Sequence, residues 1–163
     1  MWNWALEKIG WKHIKLKRLV LKQKKRNTET SLAEEMELDY LENVNGLDEN
    51  VVRLYNFNKA EAILFRDLLV ETVILKKEKL NLAEVDFITP RNCNLILGLF
   101  KTNEGILTKD NQTFFCVLTL AIFINMIHLL DPFCQKESKG YQYLYDLDNS
   151  TELLFSQTAS LVD

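Results

Sequence analysis

The sequence predicts an α+β domain, a single antiparallel sheet packed against two helices and preceded by a basic N-terminal arm. Three observations lead there. Two segments repeat apolar residues at helical spacing, several short β-branched and aromatic segments are bounded by turn signals, and charge is divided sharply along the chain. With 163 residues, 47% hydrophobic and 26% charged, the chain has the composition of one globular domain able to bury a core. Five Gly and two Pro exclude a low-complexity protein, and no nucleotide-binding loop is present.

Residues 1–26 carry nine Lys/Arg and one Glu, while the remainder is acidic, so the net charge of −3 hides a +8 arm. All three tryptophans, Trp2, Trp4 and Trp11, lie in this arm. Residues 29–49 come next with eight Asp/Glu and no Lys or Arg, and read as an acidic linker closing on the turn signal Asn45-Gly46. The expected division is therefore 1–35 as arm and start of linker, and 36–163 as the α+β domain, with regular elements from about residue 50.

Val51 to Phe57 reads as a strand, and Asn58, three residues before Glu61, has the cap-and-acid pattern that opens a helix. That helix is expected over 59–76, with Ala62, Phe65, Leu69 and Val73 stacked on its core-facing side. Residues 76–92 read as a long connection that Pro90 holds extended at its end. Asn94 to Phe100 is apolar at nearly every position, as an interior strand is, and KTNEG forms the turn after it. Thr113 to Leu118 gives a third strand, and Thr119 opens a helix carrying Phe123, Ile127, Leu130 and Cys134, with Pro132 in its last turn. Tyr141 to Leu147 alternates like a one-sided strand, and residues 152–156 could pair with it. The order β-α-β-β-α-β is that of ferredoxin-like domains, an arrangement that hosts many unrelated functions.

Cys93, Cys116 and Cys134 are odd in number and widely spaced, which fits a reducing cytoplasm, here of bacterial type, and buried thiols better than a disulfide scaffold. No signal peptide is recognisable, so the triplets at Asn111 and Asn149 are not read as glycosylation sites. Phe114 to Leu130 is too short and too interrupted by Thr119, Asn125 and His128 to read as a membrane span. There is no CxxC or HxxxH for a metal, His128 has no evident orienting partner for catalysis, and the series Asp146, Asp148, Ser150, Glu152 lacks the Gly and Glu of a calcium loop. No cofactor is expected, and no catalytic residue is assigned.

The candidate binding residues are those of the arm: Trp2, Trp4, Trp11, Lys15, Lys17, Arg18, Lys22, Lys24, Lys25 and Arg26. Basic residues with amphipathic Trp anchors suit a protein surface or an anionic membrane. Nucleic acid is disfavoured by the acidic remainder and by strands lacking an RNA-reading aromatic signature. The sequence therefore points to a non-enzymatic protein-interaction or assembly module, meeting a partner protein or its own copies, whose arm docks an acidic surface. The alternatives are a peripheral membrane protein anchored by residues 1–26 and an enzyme or small-ligand sensor with an unlocated site.

Overall fold

The computed structural model describes residues 35–44, 46 and 48–160. The chain divides at Ala33/Glu34 into two units, and all of the described residues belong to the second. Every candidate binding residue of the basic arm lies outside the described residues.

Asn58 caps α1 (Lys59–Leu69) as its spacing predicts. Its side chain accepts from the Glu61 N–H at 3.0 Å, and the Glu61 carboxylate accepts from the Asn58 N–H at 3.1 Å. Glu137, just beyond the second helix, accepts the free Lys59 N–H as well. The helix continues to Leu75, but from Val70 its turns widen into a π-helical segment (Val70–Leu75). The second helix, α2 (Leu120–Gln135), holds Pro132 in its last turn and buries Phe123, Met126, Leu130, Phe133 and Cys134.

The expected single antiparallel sheet is replaced by two mixed ones. Strands β1 (Met36–Val44), β2 (Glu49–Tyr55), β4 (Ile88–Pro90), β8 (Tyr141–Tyr143) and β9 (Thr151–Ser156) form a five-stranded sheet in the order β4-β1-β2-β9-β8. Strands β3 (Leu80–Asn81), β5 (Asn94–Leu99), β6 (Gly105–Thr108) and β7 (Thr113–Leu118) form a four-stranded sheet in the order β3-β5-β7-β6. Each sheet contains parallel neighbours, β1 with β4, β2 with β9, and β5 with β7. The simple β-α-β-β-α-β order is therefore not what the chain adopts: the six expected elements are present, but β1, β3, β4 and β6 are interleaved with them, and β8 stops at Tyr143.

Two of the additions overturn loop assignments. The acidic linker contains β1, because Met36, Leu38 and Tyr40 alternate with Glu37 and Asp39, giving a strand with one apolar and one acidic face. The connection 76–92 contains β3, a 3-10 turn (Leu82–Glu84) and β4. Asn92 then ends the first sheet's edge: its side chain accepts from the Tyr40 N–H at 2.8 Å and donates to the Tyr40 carbonyl at 2.9 Å, imitating a strand neighbour just where the chain leaves for β5.

The inner faces of both sheets and the two helices share one core. Phe155 of β9 stacks on Phe57 at 3.9 Å and meets Phe133 edge-on at 5.2 Å, and Phe65 of α1 stacks on it at 5.6 Å. Tyr40 and Phe114 join the two sheets at 4.5 Å. A polar clasp adds to this. The Tyr145 hydroxyl donates to the Thr151 carbonyl at 2.7 Å and accepts from the Asn149 amide at 3.3 Å and from the Ile106 backbone, tying β6 to the start of β9. The domain is thus a single α+β unit with two mixed sheets and two helices. Among the described residues no helix is long and apolar enough to cross a membrane.

Candidate interaction surface

The four-stranded sheet has two unlike faces. Register places Leu95 opposite Phe114, Leu97 opposite Cys116 and Leu99 opposite Leu118, and Leu95, Leu97, Phe114, Cys116 and Leu118 are fully buried. The alternate positions pair Ile96 with Phe115, Gly98 with Val117 and Leu107 with Phe115 on the opposite face. That face is also apolar, yet Phe115 is 40% exposed, Leu107 48% and the following Phe100 55%. The near-continuous apolar runs thus suggest strands buried on both sides, whereas one side is open.

The open face is concave. Gly98 contributes no side chain, so Ile96 and Val117 form a low floor beside it, and Phe100, Leu107 and Phe115 stand around a recess of about 430 Å³. The aliphatic stem of Lys79 lies along one side, its Cγ 3.4 Å from where a Gly98 Cβ would project. Among the described residues, Lys79 and Lys109 are the only charged ones lining the recess. The described residues give neither an ion pair, and Lys101 beside Phe100 has none there either. This reverses the local rule, since residues 36–163 carry 19 Asp/Glu and 11 Lys/Arg.

A second cluster, on the opposite face of β1 and β2 from the core, is closed rather than open. Arg53 donates to both oxygens of Asp39, at 3.0 and 2.6 Å, and its guanidinium lies 4.0 Å from the centre of the Tyr55 ring. Glu37 accepts from Arg91, from the Tyr55 hydroxyl at 2.7 Å and from Asn56 at 3.1 Å. The Arg91 hydrogen bond, the largest influence, holds Glu37 down to about 2, and burial followed by the hydrogen bond to Glu37 pushes Tyr55 up to about 12. Both groups are thus held away from neutral pH, Glu37 charged and Tyr55 neutral, and the array braces the two strands.

The other sequence candidates do not assemble into a site. All three cysteines are buried and free. Burial pushes Cys93 up to about 12 and raises Cys116 and Cys134 as well, the last against the opposing pull of Arg66. Such thiols are poor nucleophiles and poor ligands. His128 faces solvent, its Nδ1 3.8 Å from Asp131, while the latter also accepts from Arg66 at 3.2 Å. In the series near β9, Asp146 and Asp148 are exposed, and Glu152 is raised by burial, then by Asp146 and Glu49. No group of three or more His, Cys, Asp or Glu among the described residues could hold a metal ion.

The sequence matches no model of a protein family and no curated protein. The functional reading therefore rests on the surface itself. One sequence feature bears on it: Phe114 and Phe115 are adjacent in a strand, so their rings lie on opposite faces, although adjacency does not say whether the second face is covered.

Proposed function

We propose that this protein is a non-enzymatic interaction or assembly module of a reducing cytoplasm that engages a partner through the outer face of its four-stranded sheet. The observation that carries this reading is the recess formed by Ile96, Gly98 and Val117 under the exposed rings of Phe100 and Phe115. An apolar concavity rimmed by charge is the form taken by binding surfaces, since burying such area is the main favourable term in association. The basic arm of residues 1–26 adds a second contact in this reading, with an acidic surface. The buried, unreactive cysteines and the closed Glu37–Tyr55 array give a catalytic reading no comparable support.

The test is site-specific photo-crosslinking in cells with the full chain, placing the reactive group at Leu107 and, as control, at Tyr141 on the other sheet. A discrete adduct at Leu107 that is absent at Tyr141, and lost in a Phe115→Ser background, is the expected result. Identical adduct patterns at the two positions, or none at Leu107, would overturn the proposal.

A further inference from the structure

Resting on that reading, we infer that the recess accepts a polypeptide segment in which apolar side chains alternate with carboxylates, contributed by a different protein. Shape and charge both argue for this occupant. The floor at Gly98 and the walls at Phe100, Leu107 and Phe115 form a hollow, which a projecting side chain fills and a flat bilayer surface does not. Among the described residues, the ammonium groups of Lys79 and Lys109 are the only charges at the lining, on a domain whose residues 36–163 are net acidic, and no acid lines the recess beside them. Carboxylates beside the apolar anchors would face these cations, and electrostatic complementarity of this kind selects partners and speeds encounter. A second copy presenting the same face would bring lysine toward lysine and supply no carboxylate, which favours a different, acidic partner over a symmetric dimer through this surface.

The chemistry divides into two separable contributions. Apolar anchoring depends on Phe115, Leu107 and the low floor left by Gly98, whereas preference for acidic segments depends on the ammonium groups of Lys79 and Lys109. Two exposed ion pairs, one at each lysine, together correspond to roughly a tenfold preference at low salt, diminishing as salt screens them.

The test measures binding of blocked synthetic peptides to the full chain by fluorescence anisotropy at low and high salt. One probe is Asp-Leu-Glu-Phe-Asp-Leu-Glu, a second replaces Asp and Glu by Asn and Gln, and a third replaces them by Lys. The expected result is about tenfold tighter binding of the acidic peptide than of its amide twin, with the difference shrinking in high salt. Binding to the basic arm would survive Phe115→Ser, so only the part lost in that variant counts. The double variant Lys79→Glu/Lys109→Glu, altering two surface side chains, should transfer the preference to the lysine peptide. Equal binding of the acidic and amide peptides, both sensitive to Phe115→Ser, would overturn the charge assignment and leave the docking face standing. No Phe115-dependent binding by any peptide would overturn the inference. In a parallel measurement with phosphatidylserine vesicles, Phe115-dependent binding confined to the vesicles would overturn the inference in favour of a membrane. The crosslinking pattern at Leu107 decides the underlying reading independently.

Discussion

Filling the recess from its floor should weaken binding while making the domain more stable. Gly98 lies inside β5, where an absent side chain costs about 0.5–1 kcal/mol relative to alanine through backbone freedom. An added Cβ would meet only the Lys79 Cγ, at 3.4 Å, an ordinary contact with a flexible stem. Gly98→Val should therefore raise the stability of the domain by about 0.5–1 kcal/mol, seen as a melting temperature higher by about 1–4 °C. The same isopropyl group occupies the volume proposed for a partner's apolar anchor. Losing the burial of one such side chain is worth about 1.5–3 kcal/mol, or roughly 10- to 150-fold in Kd. Thermal unfolding of the full chain and peptide anisotropy on the same preparation give both quantities. Stability raised with affinity unchanged would show that the recess is not the contact. A loss of stability greater than about 1 kcal/mol would show that the face is not open as described.

Three further outcomes are expected from the closed parts of the fold. Asp39→Asn leaves the Arg53 guanidinium, whose side chain is 7% exposed, without its bidentate acceptor, and should cost about 3–5 kcal/mol in urea unfolding, while a paired apolar replacement of Asp39 and Arg53 should cost far less. Glu37, held down to about 2 in the fold against an ordinary value of 4.5, stabilises the domain above about pH 4.5 and loses that contribution as pH falls toward 2; Glu37→Gln should flatten this acid limb in unfolding measured across pH. Gly105 has a φ of 75° and a Cβ there would lie 2.0 Å from the Asn149 amide nitrogen, so Gly105→Ala should destabilise by at least about 1–2 kcal/mol and loosen the Tyr145 clasp, detectable as faster amide exchange at Ile106.

The features legible in the sequence were local ones. The Asn58–Glu61 pair announces its helix because a cap is a contact between near neighbours, and the stripes through Phe65 and Phe123 carry their periodicity openly. Strand β1 was hidden because its Glu37 and Asp39 join a longer acidic run, and only the alternation with Met36, Leu38 and Tyr40 distinguishes strand from linker. Strands β3 and β4, two and three residues long, are below the length at which alternation can be seen. The pairing of β2 with β9 and of β5 with β7 has no local signature at all, since it depends on how distant segments pack. The recess was missed for the same reason: whether Ile96, Val117 and Phe115 are covered depends on what lies across from them, not on what lies beside them in the chain.

The placement of β9 sets the moment at which the domain can come into being. It supplies the missing neighbour of β2, and its end is tied to Phe57 through Gln157, 100 positions away in sequence. While a chain is being synthesised, the β1–β2 hairpin must wait with an unpaired, strongly apolar edge until residues 151–156 emerge. Such an edge invites pairing with other chains, and contacts of this separation slow folding. A stop codon anywhere before Thr151 would leave that edge permanently open and yield an aggregating product rather than a smaller working domain. In the cell, the β2 edge of the five-stranded sheet therefore stays open to neighbouring chains until residues 151–156 have been made.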